Sequence, residues 1–343
     1  MSEEHSELHR WLTTFHAIFS SPPDTPVTPR SEVWKKNKAV LWHYKPQVRK
    51  YRTPLFLVYS LVNQPVILDL MPGDSLIGSF VNEGFDVYLL DFGKPGFEDR
   101  NISFSDYIVD YIERGMKRAL SHSGSGELTV IGYCLGGTMA AIAAAYTKLP
   151  VSNLILSSAP IDYHAFPLFD QWLEYVQESN ADTKTKELFG TIPASFIEFG
   201  MRLLASPLYF THYLSLLSKA HHPQYVEKWR RFNSWTKGHI PFTGAANDQI
   251  FEDLLKNNAL IKDTLIIRGR SVKLSDITCS LLVSVVQHDK LVPQEIADVI
   301  MERVNSPDKQ LVEIKGGHAA HSYKAGIPPF LKDWLEPRSK GGM

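Results

Sequence analysis

The stretch LTVIGYCLGGTMAAIAAAYTK, from Leu128 to Lys148, joins an apolar run, a cysteine held between glycines and a segment of small residues. The apolar run predicts a buried strand, and the alanine-rich segment predicts a helix. A turn this sharp strains the backbone at Cys134, and side chains two positions before and after it would collide, so glycine is required at Gly132 and Gly136. This is the form of a nucleophile elbow, with Cys134 as the candidate nucleophile.

Two other interpretations of Cys134 stay open from this stretch alone. A buried cysteine in a glycine-rich turn needs no chemistry, and a phosphate-binding loop also uses glycines. The phosphate loop is disfavoured because neither G-x-x-x-x-G-K-[ST] nor G-x-G-x-x-G occurs here. The predicted helix would point its free amides and positive end at Cys134, which favours a negatively charged sulfur.

Four further apolar runs predict the rest of a parallel sheet, because strands buried on both faces lack polar alternation. The runs are PLFLVYS (Pro54 to Ser60), FDVYLLDF (Phe85 to Phe92), SLLVSVVQ (Ser280 to Gln287) and QLVEIK (Gln310 to Lys315). Ser103 and Asp106 have capping-box spacing at the start of a predicted helix between the second and third strands. Strands that alternate with helices predict a doubly wound α/β sheet.

The pattern changes between residues 161 and 262, where aromatic-rich helical segments replace the strand-like runs. We expect a helical cap inserted after the sixth strand of an α/β-hydrolase fold with a mostly parallel sheet. The predicted division is 1–160 for an N-terminal segment and the first part of the core, 161–262 for the cap and 263–343 for the second part of the core. The sheet is expected to resume near TLIIRG (Thr264 to Gly269). The first fifty residues carry few strand signals and are expected to wrap the core or bind a partner.

The candidate base and its orienting acid follow the nucleophile in the order that this fold uses. Asp289 comes after one predicted strand and His318 after the next, so both are expected at the carboxyl edge of the sheet. His318 can take the Cys134 proton, and Asp289 can orient the imidazole or accept a second proton.

Neighbouring residues offer competing interpretations. His288 adjoins Asp289, and His321 follows His318 by three residues, so the two latter histidines could form a metal pair. A metal is disfavoured because helical ligand pairs use H-x-x-x-H spacing and no nearby cysteine or carboxylate pair completes a site, so none is predicted. Cys279 begins a predicted buried strand and is interpreted as a core residue.

Acyl transfer also needs amide donors aimed at the developing oxyanion. The backbone N–H of Leu135, directly after the nucleophile, is the first candidate. The backbone N–H of Val62, in the loop SLVNQP after an early strand, is the second. The alternative is that this loop is an ordinary connection.

Composition excludes several classes of protein. A net charge of -1 over 343 residues gives no electrostatic case for nucleic acid or for an anionic membrane. Two cysteines make no disulfide framework, so a reducing cytosol is expected, and no apolar run is long enough to predict a transmembrane helix.

The chain as a whole resembles the catalytic subunits of polyhydroxyalkanoate synthases. GYCLGGT (residues 132–138) is similar to their lipase-like box, in which cysteine replaces serine. The segments at 53–108, 192–207 and 257–277 resemble the family's core, its cap and its return to the sheet. The length resembles the short two-subunit synthases of classes III and IV, and EVWKKNKAVLWHY and KGHIPFTG favour class IV.

The resemblance implies polymerisation of (R)-3-hydroxyacyl-CoA, with 3-hydroxybutyryl-CoA as the expected substrate, CoA as product and no cofactor. It implies a small accessory subunit, a homodimer formed through the cap, and a cytoplasmic location at polymer granules. It also implies catalytic roles for Cys134, Asp289 and His318. The chain departs from the family after the histidine, where it has HAAHS in place of an apolar-glycine pair. A cysteine-dependent hydrolase or thioesterase and an inactive granule-associated or partner-binding protein are the alternatives.

Overall fold

A computed structural model describes residues 3–19, 27–166, 190–195, 197–198, 206–287, 289–318 and 326–339. Within these residues, the strands of the main sheet are β1 Ser31–Lys36, β2 Ala39–Tyr44, β3 Leu55–Val58, β4 Val87–Asp91, β5 Leu128–Tyr133, β6 Val151–Ser157, β7 Ser280–Val286 and β8 Lys309–Ile314. They lie in the order β1-β2-β4-β3-β5-β6-β7-β8. The last six strands in this order pair in parallel, whereas β2 pairs antiparallel with both β1 and β4.

The apolar runs become the centre of this sheet. Every residue of β3 and β5 is buried, because helices cover both faces of the central strands. Each of the five runs predicted from the sequence contains one strand, and the predicted doubly wound, mostly parallel sheet is confirmed.

Apart from short 3-10 turns, the described helices are α1 Glu3–Phe19, α2 Leu76–Glu83, α3 at residues 104–123, α4 Leu135–Tyr146, α5 Ser206–Lys219, α6 Pro223–Thr236, α7 Gly244–Gln249, α8 Gln294–Asp298, α9 Ile300–Arg303 and α10 Pro329–Ser339. Helix α3 has an α-helical turn Phe104–Asp106, a π-helical stretch Tyr107–Glu113 and an α-helical part Arg114–Ser123. A second π-helical stretch, Ile250–Lys256, continues α7.

The predicted capping box begins α3. The Asp106 N–H donates to Ser103 Oγ at 3.1 Å, and the Ser103 N–H donates to Asp106 Oδ2 at 2.8 Å. Beyond it, the residues spaced four apart lie on one side of the helix and are fully buried at Phe104, Ile108, Ile112 and Met116.

Helices cover the sheet on both faces. On one face, α3 and α4 pack into a core cluster that contains Phe104 and Met139. On the other face, α2 and α10 pack into a second cluster with Phe80 and Trp334. This layering leaves the carboxyl ends of the parallel strands as the edge where loops can build a site.

Three expectations about individual strands need correction. The first fifty residues contain β1 and β2, because AVLWHY supplies a mostly buried strand that extends the sheet beyond β4. Strand β6 is not among the predicted runs, since Ser152 and Asn153 interrupt its apolar pattern. TLIIRG does not join the main sheet: Ile266–Ile267 pairs with Arg270–Ser271 across a two-residue turn with positive φ at both positions, which makes a separate hairpin.

The chain leaves the sheet after β6, which is the sixth strand of the main sheet in sequence order. The described part of the region that follows contains α5, α6, α7 and a short antiparallel pair, Thr191–Ile192 with Phe242–Thr243. Residues 167–189, 196 and 199–205 of the predicted cap lie outside the described residues. The limits 160/161 and 262/263 stay predictions.

Candidate active site

Cys134 occupies a strained turn between the last residue of β5 and the first residue of α4. Its backbone has φ 51° and ψ −132°, a conformation that is costly for any residue with a side chain. The Cys134 N–H donates to the Ser157 carbonyl at 2.9 Å, and the Cys134 carbonyl accepts from the Gly137 N–H at 2.7 Å. These bonds hold the turn, and the predicted strand–cysteine–helix arrangement is present.

The glycines beside Cys134 are required because of backbone approach. A Cβ at Gly132 would lie 2.5 Å from Gly137 Cα, and one at Gly136 would lie 2.5 Å from the Tyr59 carbonyl carbon. The predicted reason was different: the obstacles are the start of α4 and the end of β3, and not side chains that collide with each other. Gly137 was not predicted, yet a Cβ there would lie 2.4 Å from Ala159 Cβ. The doubled glycine in the motif was its only signal.

His318 and Asp289 come together at the carboxyl edge of the sheet. Asp289 follows β7 and His318 follows β8, and the parallel pairing of these strands brings the two loops side by side. His318 Nδ1 lies 2.7 Å from Asp289 Oδ2. The other Asp289 oxygen accepts from the backbone N–H groups of Leu291 and Val292 at 2.9 and 3.1 Å, and the Asp289 side chain has no exposed surface.

The charges of this pair support each other. Burial would raise the pKa of Asp289, but the hydrogen bond and charge of His318, together with the amides of Val292 and Leu291, lower it below the usual value. Burial would lower the pKa of His318, but the charge of Cys134, hydrogen bonds to Asp289 and Cys134, and the charge of Asp289 raise it to about 10. The contribution of Cys134 to the pKa of His318 places the sulfur within electrostatic reach of the imidazole, beside the hydrogen-bonded Asp289–His318 pair.

The two candidate oxyanion donors differ in their present contacts. Leu135 is the first residue of α4, and the first amide of a helix has no acceptor within that helix. The Val62 N–H donates to Ser60 Oγ at 3.0 Å. Val62 can therefore serve an oxyanion only by exchanging the Ser60 hydroxyl for the substrate oxygen.

Three buried tyrosines near the elbow were not predicted. Burial raises the pKa of Tyr59, Tyr133 and Tyr163, so their hydroxyls stay neutral. A negative charge on Cys134 contributes to the rise at Tyr59 and Tyr163, which places both rings within electrostatic reach of the sulfur. The signal was available at two of the three, because Tyr59 follows β3 and Tyr133 ends β5, both directly beside the turn.

Other predicted features have simpler outcomes. Burial raises the pKa of the half-buried Cys279 to about 11, in keeping with a residue that packs against the core. His288 and His321 lie outside the described residues, as does the rest of the HAAHS segment after His318.

Among the residues that are described, no three histidine, cysteine or carboxylate side chains cluster as a metal site requires. No described helix is both long and apolar enough to cross a bilayer.

The fold and the site define the class of protein. The family described as the alpha/beta hydrolase fold matches residues 67–325, and the chain belongs to this family. The esterase of Thermogutta terrifontis aligns with a TM-score of 0.54 at 17% identity over 91% of this chain and 100% of its own. The monoacylglycerol lipase of Paleococcus ferrophilus aligns with a TM-score of 0.51 at 16% identity over 87% of this chain and 96% of its own. These similarities concern the fold alone, and the predicted α/β-hydrolase fold is confirmed.

Relatives in sequence are more specific. The poly(3-hydroxyalkanoate) polymerase subunit PhaC of Haloferax mediterranei is 30% identical over 323 residues, which cover 92% of this chain and 65% of that protein. The subunit of the same name from Allochromatium vinosum is 28% identical over 326 residues, which cover 92% of this chain and 90% of that protein. This chain therefore spans less than two thirds of the Haloferax protein and nearly all of the Allochromatium protein. The resemblance to polyhydroxyalkanoate synthase catalytic subunits is confirmed.

Proposed function

We propose that this protein polymerises (R)-3-hydroxyacyl-CoA, with 3-hydroxybutyryl-CoA as the expected substrate, into a polyester and releases CoA. The observation that carries the proposal is the strained Cys134 elbow together with the Asp289–His318 pair, in a chain that resembles poly(3-hydroxyalkanoate) polymerases along its length. Esterases and lipases use serine as the nucleophile. The cysteine of this chain is the feature that favours keeping the acyl group activated on the enzyme over hydrolysing it.

The first step transfers the acyl group to the enzyme. His318 takes the Cys134 proton, and the sulfur attacks the carbonyl carbon of the thioester to form a new S–C bond. The CoA sulfur leaves with the proton that His318 holds. Because one thioester replaces another, the acyl group stays activated for the next transfer, which a serine ester would not achieve as well.

The second step extends the polymer. The 3-hydroxyl of another acyl unit gives its proton to His318 while its oxygen attacks the Cys134 thioester, and the S–C bond breaks to return the thiolate. The contacts of Asp289 support an orienting role over that of a second base. Both of its oxygens already accept hydrogen bonds, and its side chain is shut off from solvent and from substrate.

Partners and location complete the proposal. The relatives are named as subunits, which supports a small accessory subunit for this chain, and the class IV type is the one we propose. A homodimer through the cap and a cytoplasmic location at the polymer granule are proposed with it. Water exclusion by the aromatic cap would keep the thioester from hydrolysis.

Product analysis tests the function. Purified protein is assayed for CoA release from (R)-3-hydroxyacyl-CoA of several chain lengths, with and without candidate accessory subunits. We expect insoluble polymer from wild type and no CoA release from Cys134→Ala. Free hydroxy acid in place of polymer would identify a thioesterase, and absence of CoA release under every condition would favour the inactive, partner-binding alternative.

A further inference from the structure

The loop that carries Val62 is bound to a segment far along the chain. We define the oxyanion loop as residues 60–65. We define the clamp segment as residues 235–240, which are the last two residues of α6 and the four residues after it. Asn63 Nδ2 donates to the Trp235 carbonyl at 2.9 Å, and the Trp235 indole Nε1 donates to the Gln64 carbonyl at 3.0 Å. Gln64 Nε2 donates to the Gly238 carbonyl at 3.0 Å.

Val62 itself takes part in this contact. Its carbonyl accepts from the Ile240 N–H at 3.2 Å, and the adjacent Asn63 forms an antiparallel bridge with His239. The Val62 carbonyl and the Asn63 N–H belong to one rigid peptide, and the Val62 N–H belongs to the peptide before it. The clamp segment fixes the later peptide directly and thereby limits how far the Val62 N–H can turn.

Packing holds the oxyanion loop only in part, because Leu61 is buried in the core cluster while other residues of the loop border a cavity. A cavity of about 190 Å³ adjoins the loop within the described part of the chain. Ser60, Asn63, Gln64 and Pro65 of the loop line it, as does Ile240 of the clamp segment. Beside this cavity, the hydrogen bonds that join Asn63 and Gln64 to the clamp segment help to keep the loop in place.

The clamp segment also fits closely against the loop. A Cβ at Gly238 would lie 2.9 Å from Gln64 Nε2, so the Gln64 side chain approaches the Gly238 backbone about as closely as a glycine permits. The Trp235 side chain also packs against the hydrophobic cluster that contains Tyr59, the buried tyrosine beside Cys134. The contact therefore reaches the immediate surroundings of the nucleophile.

We propose that the clamp segment positions the Val62 amide as an oxyanion donor, with Gln64 and Trp235 as positioning residues for acyl transfer to Cys134. The inference rests on the proposed function only in requiring that Cys134 accepts acyl groups. It makes the end of α6, which belongs to the predicted cap, part of the machinery that stabilises the oxyanion. A purely structural contact would hold the loop without any effect on the transition state.

Acylation and alkylation of the same sulfur separate these two roles. Attack on an ester or thioester builds an oxyanion and needs the donors, whereas displacement of iodide from iodoacetamide builds none. We would measure the burst of p-nitrophenolate from p-nitrophenyl acetate, CoA release from (R)-3-hydroxybutyryl-CoA, and the rate at which iodoacetamide modifies Cys134. The ester reports on the loop even where the CoA thioester is no substrate.

The variants are Gln64→Met, which keeps side-chain length but removes the donor, and Trp235→Phe, which keeps a ring but removes the indole N–H. Thr236→Val is the matched control. It removes one hydrogen bond of the same kind from the clamp segment, from Thr236 Oγ1 to the Asn233 carbonyl, without touching the loop.

We expect Gln64→Met with Trp235→Phe to slow acylation at saturating ester by roughly tenfold or more, with KM within about twofold and the alkylation rate unchanged. Thr236→Val should leave all three unchanged. The proposal is overturned if the double variant acylates at the wild-type rate, or if alkylation falls in step with acylation. If the wild-type protein gives the p-nitrophenolate burst but releases no CoA from (R)-3-hydroxybutyryl-CoA, the polymerase function is refuted. The present inference then still stands, because the ester burst tests it.

Discussion

His318 Nδ1 lies 2.7 Å from the Oδ2 atom of Asp289. The Asp289 side chain has no exposed surface, and its Oδ1 atom accepts hydrogen bonds from two backbone N–H groups. This contact fixes the imidazole orientation and leaves its Nε2 directed away from the carboxylate. It also couples the protonation of His318 to the charge of Asp289, in the loop after β7, and to the charge of Cys134, in the turn after β5. The first two predictions depend on this pair.

Asp289→Asn should keep the fold and lose most of the activity. The asparagine oxygen can still accept from Leu291 and Val292, but its amide would face His318 Nδ1 as a donor and impose the wrong tautomer. We expect kcat for acyl transfer to fall by roughly 10³–10⁴-fold, by analogy with other triads. Asp298→Asn is the control, since its carboxylate accepts only from Gln294 on its own helix in the described contacts. A D289N enzyme with a tenth or more of wild-type kcat would contradict an orienting role.

The stability that His318 contributes should depend on pH in a defined direction. A histidine whose pKa is raised on folding stabilises the fold fully below its ordinary value of about 6.5, and this contribution is lost as pH rises toward the folded value of about 10. The difference in unfolding free energy between wild type and His318→Gln should therefore shrink between pH 6.5 and pH 10. We expect a change of at least about 1 kcal/mol, the equivalent of one pKa unit.

His122 provides the comparison of opposite sign. Burial, with the nearby His43, lowers the pKa of His122, so its protonation opposes folding. The difference between wild type and His122→Gln should shrink as pH falls from 7 to 5. Urea unfolding curves for wild type and both variants from pH 5 to pH 10 test the two signs. A His318 difference that stays flat up to pH 10 would show that the imidazolium is not stabilised by the site.

Gly136→Ala should destabilise the protein, because its Cβ would meet the backbone of Tyr59 and Val58 at 2.5 to 2.6 Å. Backbone at the end of a buried strand cannot move aside as a flexible side chain can. We expect a loss of about 1–3 kcal/mol or more in unfolding free energy, measured by urea titration. Gly126→Ala is matched, since nothing lies within 4 Å of its Cβ position. Equal stability of the two variants would mean that the close approach at the elbow is absent.

The two cysteines should differ in reactivity. Burial raises the pKa of Cys279 to about 11, which leaves it a protonated thiol at pH 8. Limiting iodoacetamide at pH 8 should modify Cys134 at least about tenfold faster, as read by peptide mass spectrometry. Cys279→Ser should retain wild-type acyl transfer. Faster modification of Cys279 would remove the case for an activated sulfur at the elbow.

The sequence alone was sufficient where the physics is local. The apolar run, the glycines and the small-residue helix around Cys134 specify the elbow because neighbouring residues supply the strain and its relief. The capping box at Ser103 and Asp106 is likewise complete within four residues. The chain order of Asp289 and His318 predicted their meeting, because consecutive parallel strands deliver their loops to one edge.

Tertiary structure decided what depends on contacts between distant parts of the chain. No local pattern shows that the Tyr59 backbone leaves no room for a side chain at Gly136, or that the Val62 N–H donates to Ser60 Oγ. Nor does any local pattern show that the Trp235 indole donates to the Gln64 carbonyl. Strand β2 joined the sheet because β4 offered an edge, although its own pattern was modest. Periodicity and turn chemistry act over a few residues, whereas these contacts exist only after the chain has folded back on itself. The nucleophile was therefore readable from the sequence, and the environment that controls it was set by the fold.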